Sequence, residues 1–258
     1  MKLPEHELLS FAETLADAAR PIAMRHFRQP VTVEIKADNS PVTIADKSIE
    51  LEMRRLITEK FPEHGVFGEE FGQQFGAEHT WVLDPIDGTK SFITGMPLFG
   101  TLIALAHHRE PVLGLIDFPA LNERWMSIAG DATLHNGQAV RTSGCKKISD
   151  ARCYCTSTDM FKIEEDRLRF EALSKRTALR RFGGDCYIYA LLASGHCDLV
   201  IEASLQPYDY FSLVPIIEGA GGKITDWQGK ALDFNSDGRV IAAASEALWQ
   251  EALEGLCR

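Results

Sequence analysis

The stretch WVLDPIDGTKSF, residues 81–92, joins a short apolar strand pattern to two aspartates that core packing does not explain. Residues 81–83 are typical of a buried strand, and Pro85 lacks the backbone donor that regular strand pairing would need. A tight turn here can direct two carboxylates, the Ile86 carbonyl and a hydroxyl toward one point, an oxygen set that hard divalent cations prefer. An Asx-type turn that satisfies only its own backbone would use the same residue types without a metal. The residues in question are Asp84, Asp87, Gly88 and Thr89.

More carboxylates that can join this set occur elsewhere in the chain. Glu69 and Glu70 follow an apolar pair typical of a strand end, and Asp209 lies in the opening turn of a later apolar helix. Two carboxylates about 4 Å apart repel by about 4 kcal/mol at an effective dielectric of about 20. A folded site with several of them therefore needs cations. Two or three Mg²⁺ would offset a formal charge of about −4 and let the site accept a phosphate dianion.

Together these motifs resemble those of the inositol monophosphatase superfamily of magnesium-dependent phosphatases. The resemblance rests on GEE at 68–70, on WVLDPIDGT at 81–89, and on Asp209, which precedes a helix and the Gly-Gly pair at 221–222. It spans nearly the whole chain. The resemblance implies a layered α+β or α/β sandwich with alternating α-β-α-β-α layers, of the inositol monophosphatase and fructose-1,6-bisphosphatase type. It further implies a phosphate monoester hydrolase that forms a homodimer.

Within that superfamily, two longer runs look like the histidinol-phosphatase branch. They are KSFITGMPLFGTLIAL at 90–105 and RFGGDCYIYALLASGHCDLVIEASLQPYD at 181–209. Inositol monophosphatases usually carry Asn after the DGT and a WD before the last helix, whereas this chain has Lys90 and Tyr208-Asp209 at those places. These departures favour histidinol phosphate as the substrate.

The resemblance also implies roles for individual residues at the metal end of the site. Glu69, Asp84 and the Ile86 carbonyl would hold one Mg²⁺, and Asp84, Asp87 and Asp209 would hold a second. Glu69 would orient the attacking water together with Thr89, whose hydroxyl Asp46 would hold. Lys36 and Glu70 would lie in an outer shell, although composition alone favours a solvated lysine and Glu70 can also be an exposed neighbour. Asp46 can also act simply as a favourable charge at a helix N-terminus.

At the substrate end, Gly88 and Thr89 can present backbone donors to phosphate, because Gly88 has no Cβ to obstruct close approach. Asp185 and Glu202 are the candidate contacts to the rest of the substrate, because two acids would suit the ammonium and imidazole of histidinol phosphate. Asp185 follows a Gly-Gly turn, so it is equally explained as a helix N-cap. The full set of expected substrate-binding residues is Asp87, Gly88, Thr89, Asp185, Glu202 and Asp209.

Hydrophobic periodicity gives the order of the elements. It predicts a helix at 5–27, a strand at 31–35, a second helix starting at Thr43 or Asp46, a surface loop at 71–79 and then an antiparallel meander. The polar segment 142–150 is the expected boundary between an N-terminal α+β subdomain, 1–142, and a C-terminal α/β subdomain, 150–258. Alternating strands and helices follow it, including one helix over 209–220.

Composition limits the classes of partner. The 258 residues are 45% hydrophobic, which allows a substantial core, and the net charge of −10 argues against nucleic acid or an anionic membrane as partner. No signal peptide pattern or run of about 18 apolar residues occurs, so we expect a cytoplasmic protein. The six cysteines lack paired CxxC spacing and are expected to fill the core rather than bind zinc or form disulfides.

Three functional hypotheses stay distinct on these grounds. The first is a histidinol-phosphate phosphatase, and the second is a phosphatase of inositol or of another sugar or nucleotide phosphate. The third is a metal-binding scaffold without catalysis, against which the complete set of ligand residues argues. A serine hydrolase of the GxSxG type is not indicated, because no such motif is present.

Overall fold

The computed structural model describes residues 5–30, 33–35 and 41–256. Two long helices, α1 (Glu5–His26) and α2 (Ile44–Lys60), pack against each other and form the first layer. Thr43 caps α2: its hydroxyl accepts a hydrogen bond from the Ala45 N–H, and Asp46 accepts one from the Thr43 N–H in return. This capping box satisfies two of the free donors at a helix start, so the predicted start of α2 is confirmed.

An eight-stranded sheet forms the second layer. Its strand order is β10-β9-β8-β7-β6-β5-β3-β4, antiparallel except for the parallel pair β3 and β5. The strands are β3 (Gly65–Gly68), β4 (Gly72–Gln74), β5 (His79–Asp87), β6 (Gly100–His107), β7 (Glu110–Phe118), β8 (Glu123–Ile128), β9 (Leu134–His135) and β10 (Gln138–Ala139). A separate two-stranded ribbon is formed by β1 (Val33–Ile35) and β2 (Pro41–Thr43). The predicted meander is therefore confirmed.

A five-stranded sheet of order β12-β11-β13-β15-β14 forms the fourth layer, parallel for β11, β12 and β13 and antiparallel for the rest. Its strands are β11 (Arg152–Cys155), β12 (Leu179–Phe182), β13 (Leu199–Glu202), β14 (Lys223–Asp226) and β15 (Val240–Ala243). The remaining helices are α3 (Thr89–Thr94), α4 (Glu164–Ser174), α5 (Tyr187–Ala193), α6 (Pro207–Tyr210), α7 (Leu213–Gly219) and α8 (Glu246–Leu256).

Three buried apolar clusters separate the layers. Strand β5 shows how they arise: Trp81 and Leu83 face α1 and α2, whereas Val82 faces the cluster that contains α5 and α7. Successive strand side chains point to opposite faces, so one strand supplies two cores. A third cluster lies between the smaller sheet and helices α4 and α8. Helices α5 and α7 are thus the third layer, between the two sheets, and α4 and α8 are the fifth. The layers therefore alternate α-β-α-β-α, which confirms the predicted fold class.

Two local predictions were wrong. The segment 71–79 contains a short strand, β4, which pairs with β3 although all its residues are exposed. The single helix predicted over 209–220 is divided into α6 and α7. Pro215 lacks an N–H and so cannot donate to the carbonyl four residues earlier, which explains why the helix is interrupted at 211–212.

The division into two subdomains stays a prediction. The larger sheet takes its strands from residues 65–139 and the smaller one from residues 152–243, on either side of the expected boundary. Four cysteines, Cys153, Cys155, Cys186 and Cys197, are buried, while Cys257 lies outside the described residues. Within the described part of the chain, no helix has both the length and the apolar content needed to cross a bilayer.

A row of four histidine rings, three of them stacked and the fourth tilted, lies along one end of the larger sheet. Ring centroids are 4.8 Å apart for His64 and His79, 4.7 Å for His79 and His107, and 4.2 Å for His107 and His108. The Trp81 Nε1–H donates to His64 Nδ1 at 3.1 Å. Burial, followed by the neighbouring His79, lowers the pKa of His64 to about 4. Burial and the neighbouring His107 also lower the pKa of His79, so protonation of both rings is disfavoured in the folded protein.

We expect this stack to make the protein sensitive to acid. Because the folded-state pKa of His64 lies below its ordinary value, the unfolded chain binds more protons, so stability falls as the pH drops from about 6.5 to about 4. The half-exposed ring limits the loss to about 1–2 kcal/mol. His64→Asn keeps an acceptor for Trp81 and should flatten the dependence of urea unfolding on pH in this window. His196→Asn, at an exposed site outside the stack, is the control and should leave the dependence unchanged.

Candidate active site

Three aspartates from two separate parts of the chain converge on one point. One carboxylate oxygen from each of Asp84, Asp87 and Asp209 lies within 4.8 Å of the other two. Asp84 and Asp87 belong to β5, where a regular strand would point residues three apart to opposite faces. The pairing of β5 with β6 is irregular between these two residues, at Pro85. This irregularity brings both carboxylates to the same side of the sheet.

Helix α6 presents the third carboxylate. Asp209 is the third residue of α6, and its Oδ2 accepts the Gln206 N–H at 2.6 Å in a capping box. The Tyr208 ring packs near Phe67, with centroids 6.3 Å apart, and Phe67 contacts Phe234 at 5.3 Å. The aromatic packing anchors the start of α6 to the sheet that carries the other two aspartates.

The electrostatics of this cluster favour a bound cation. Burial, then the charges of Glu69, Asp87 and Asp209, raise the pKa of Asp84 well above its ordinary value. Burial, then the charge of Asp185, raises the pKa of Asp87 to about 7. Asp84 Oδ1 is buried and has no hydrogen-bond partner within the described residues. Carboxylate oxygens are the ligands that Mg²⁺ prefers, and a buried carboxylate oxygen without a hydrogen-bond partner is free to bind it. These residues therefore fit the metal.

Glu69 lies beside the three aspartates, in the turn after β3. It borders a cavity of about 850 Å³ together with Asp87, Thr89 and Asp209, and its charge contributes to the raised pKa of Asp84. Its N–H donates to the Leu83 carbonyl at 3.3 Å. The structure thus places Glu69 beside the three aspartates, where the sequence predicted it.

The contacts of Thr89 and Asp46 differ from those expected. The Thr89 hydroxyl donates to the Ile86 carbonyl at 3.1 Å, not to Asp46. Asp46 is buried in α2, where its Oδ2 accepts from the backbone and hydroxyl of Thr43, and its Oδ1 has no partner among the residues described. Asp46 therefore caps α2 through one oxygen, as its place at the third helical position allows, while the Thr89 hydroxyl is held within its own turn by the Ile86 carbonyl.

Asp185 faces the site, and of the two roles that the sequence left open for it, helix capping is not the one that the structure has. Helix α5 begins at Tyr187 with Cys186 as its N-cap residue, while Asp185 Oδ2 accepts the Ser91 hydroxyl at 2.5 Å. Asp185 has a φ of 46°, in the left-handed region that asparagine and aspartate tolerate better than most residues. A Cβ built on Gly88, whose φ is 80°, would lie 2.9 Å from Asp185 Cγ, so only glycine fits there.

Glu202 lies deeper than Asp185. Its side chain is 2% exposed, and its oxygens accept the Thr156 N–H at 2.8 Å and the Tyr189 hydroxyl at 2.9 Å. Burial raises its pKa against the effect of these donors. Glu202 and Asp185 both border a small cavity of about 80 Å³ beside Asp87 and Asp209. This part of the site is therefore acidic, and the role of the two acids in binding substrate stays a prediction.

Several residues of the site were missed by reasoning from the sequence. Ser91, Thr156 and Tyr189 hold the two acids of the substrate end, and no spacing in the sequence connects them. Glu50 contacts the turn that carries Glu69 through the Glu70 N–H. Its only signal in the sequence is the helical spacing to an arginine four residues later. Lys36 lies outside the described residues.

The layered fold and its buried acidic cluster together define a metal-dependent phosphatase architecture. The family model described as the inositol monophosphatase family matches residues 5–258, and the chain belongs to this family. It is 46% identical to the Bifunctional phosphatase IMPL2, chloroplastic, of Arabidopsis thaliana, over 99% of this chain and 77% of that protein. It is 36% identical to a histidinol-phosphatase of Chlorobaculum parvum, over 91% of each.

Solved structures agree with this assignment. An inositol monophosphatase from Zymomonas mobilis superposes with a TM-score of 0.91 at 42% identity, covering 100% of both chains. An inositol monophosphatase of Thermotoga maritima superposes with a TM-score of 0.87 at 26% identity, covering 97% of both. The arrangement of layers around the acidic cluster is therefore that of the family.

Proposed function

We propose that this protein is a Mg²⁺-dependent phosphate monoester hydrolase that converts L-histidinol phosphate and water to L-histidinol and phosphate, a reaction of histidine biosynthesis. The observation that carries the proposal is the convergence of Asp84, Asp87 and Asp209 within 4.8 Å of one another, with Asp87 and Asp209 at the wall of a cavity. The acidic substrate end of that cavity and the names of the relatives support the choice of substrate.

The three aspartates would hold two or three Mg²⁺, together with Glu69 and the Ile86 carbonyl. Bound Mg²⁺ would lower the pKa of water and neutralise charge on the phosphate and its leaving oxygen. The Ile86 carbonyl already accepts the Thr89 hydroxyl at 3.1 Å and has a second lone pair for another contact.

The protein's own groups would position the reactants. Glu69 is the carboxylate beside the cluster that can orient the attacking water and take up its proton. The backbone N–H groups of Gly88 and Thr89 would donate to phosphate oxygens, since Gly88 leaves no side chain in the way. Asp46, although it does not contact Thr89 here, stays a proposed contributor through its buried Oδ1. Water would then attack phosphorus in line with the departing alcohol.

Recognition of the leaving group would fall to the two acids of the second cavity. Asp185 borders both the large and the small cavity, whereas Glu202 is nearly fully buried and is already held by two donors. Asp185 is therefore the more accessible partner for an ammonium or imidazolium group. Glu202 would add negative charge behind it through its remaining lone pairs.

Inositol 1-phosphate is the alternative substrate. One specific observation favours it: the Zymomonas mobilis structure, named an inositol monophosphatase, is 42% identical over its full length. The cationic side chains of Lys90, Lys162 and Arg181 also border the large cavity, and these suit any phosphate ester. A scaffold without catalysis is the third possibility, which phosphate release would exclude.

We expect wild-type protein to release phosphate from L-histidinol phosphate with a kcat/KM at least about tenfold above that for inositol 1-phosphate, and to lose activity on adding EDTA. Asp185→Asn removes the charge that would pair with the substrate's amine, so it should lower kcat/KM for histidinol phosphate by about 10–100-fold. The same variant should change p-nitrophenyl phosphate hydrolysis by less than about threefold. Equal losses on both substrates would exclude a role of Asp185 in recognition.

Two further features of the protein stay proposals: a homodimer, which a monomer mass in solution scattering would refute, and a cytoplasmic location. The chloroplastic relative from Arabidopsis thaliana shows that a related chain is placed in an organelle. Fractionation of the source cells would test the location directly.

A further inference from the structure

The carboxylate of Glu50 is buried inside the molecule and is surrounded by donors. It lies on α2 with no solvent exposure. It accepts Arg54 Nε at 2.7 Å, the Glu70 N–H at 2.7 Å and the Phe71 N–H at 3.2 Å. Two of these three donors are consecutive backbone groups of the turn between β3 and β4. The Glu50 side chain therefore accepts the hydrogen bonds of two backbone N–H groups in this turn, as the carbonyls of a neighbouring strand would.

The turn is shaped to receive this carboxylate. A Cβ built on Gly68 would lie 2.0 Å from Glu50 Oε1, so only glycine lets the backbone come this close. Arg54 continues the contact, since its Nη2 donates to the Gly72 carbonyl. Glu50 and Arg54 thus clamp the turn at residues 68–72 from its first residue to its last.

Glu69 is the second residue of this turn. Its own N–H donates to the Leu83 carbonyl, one residue before Asp84. The next two N–H groups donate to Glu50. The backbone on both sides of the Glu69 side chain is therefore fixed, on one side by the strand that carries the aspartates and on the other by α2. These three hydrogen bonds fix the direction in which the Glu69 side chain leaves the backbone.

We propose that Glu50 is a positioning residue that sets Glu69 against the cation site without touching substrate or metal. Asp46 and Glu50 are four residues apart on the same buried face of α2, so this one helix supports two groups of the site. The inference rests on the proposed function in so far as Glu69 acts there on a cation and on water. Residues that orient a metal ligand typically change metal affinity or activity by about 10–100-fold when replaced.

Glu50→Gln tests the proposal. An amide has one acceptor oxygen, so at least one of the three donors loses its partner and the turn relaxes. We expect the Mg²⁺ concentration for half-maximal activity to rise about 10–100-fold. Calorimetric titration of the metal-free protein with Mg²⁺ should show the same loss of affinity without any substrate. A merely structural role would lower the melting temperature but leave the Mg²⁺ affinity of the folded protein unchanged.

A second variant protects the test against misfolding. Glu50→Asp keeps a carboxylate to pair with Arg54, but it is one methylene too short to reach the turn, so it should fold and still weaken Mg²⁺ binding. Glu52→Gln is the matched control. Glu52 lies on the same helix and pairs with Arg55 at the surface, and its variant should match the wild type in both measurements.

The outcomes separate this inference from the proposed function. If the wild type hydrolyses phosphate esters with Mg²⁺ and both Glu50 variants keep wild-type Mg²⁺ affinity, the positioning role is wrong while the proposed function stands. If the wild type releases no phosphate from any monoester but the Glu50 variants bind Mg²⁺ more weakly, the positioning role stands and the proposed function fails.

Discussion

Asp84→Asn is expected to abolish phosphate release and, without metal, to make the protein more stable than the wild type. Asp84 is 2% exposed, and burial together with the neighbouring acids Glu69, Asp87 and Asp209 raises the pKa of its carboxyl well above the ordinary value. Like charges at such separations repel by up to about 4 kcal/mol a pair. Asparagine removes that repulsion but cannot replace an anionic ligand shared between cations.

We expect kcat/KM to fall at least about 1,000-fold, which is about 4 kcal/mol of transition-state stabilisation. Partial protonation of Asp84 in the metal-free wild type reduces the gain in stability to about 1–2 kcal/mol, or about 2–8 °C in melting temperature. Melting curves in EDTA and in excess Mg²⁺ measure both effects. Mg²⁺ should raise the melting temperature of the wild type and leave that of the variant almost unchanged.

A second buried aspartate provides the control. Asp117 is also fully buried, but Arg20 Nε lies 2.8 Å and Arg124 Nε 2.7 Å from its oxygens. Asp117→Asn should therefore lower stability, because it leaves two guanidinium groups without a full partner, and it should keep the Mg²⁺ response. A loss of stability for Asp84→Asn in EDTA would show that the charge of Asp84 is compensated within the apo fold and is not a source of repulsion.

Part of the acidic cluster was predictable because two of its carboxylates lie close together in the sequence. A proline between two aspartates predicts an interruption of regular strand pairing. The pairing of β5 is irregular at this point, between Asp84 and Asp87. The layered fold class was predicted from the resemblance that these motifs carry, and local patterns predicted parts of it: apolar runs broken by turn segments indicated the meander, and Thr43 or Asp46 indicated the start of α2. Such signals depend on neighbours along the chain, so a single sequence contains them.

What escaped prediction depends on contacts between distant segments. Ser91 holds Asp185 across 94 positions of sequence, and Thr156 holds Glu202 across 46. Asp46 was expected to bond Thr89, but the Thr89 hydroxyl donates to the nearby Ile86 carbonyl, and Asp46 accepts from Thr43 in the capping box. A single sequence shows which groups can form hydrogen bonds, but tertiary packing decides which of several donors reaches a given acceptor.

Packing between layers also governs where Asp209 sits. Gly114 on β7 faces the interruption between α6 and α7, and a Cβ built on it would lie 2.0 Å from the Ser212 carbonyl oxygen. Ser212 is buried and lies three residues after Asp209. The added Cβ would clash with a backbone atom, so no change of side-chain rotamer can relieve the clash. The absence of a side chain at one sheet position thus fixes the approach of the helix that completes the cation site.

Gly114→Ala is accordingly expected to destabilise the protein by about 3 kcal/mol, at the upper end for overpacking, and to lower its melting temperature by about 6–12 °C. Because α6 must move away from β5, the remaining folded protein should also need about tenfold more Mg²⁺ for half-maximal activity. Gly130→Ala is the control: nothing lies within 4 Å of its added Cβ, and its φ of 92° leaves a backbone cost of about 1–2 kcal/mol alone. That variant should melt earlier but keep its Mg²⁺ requirement. If Gly114→Ala also kept it, the position of Asp209 would be set within its own helix rather than by the sheet beneath.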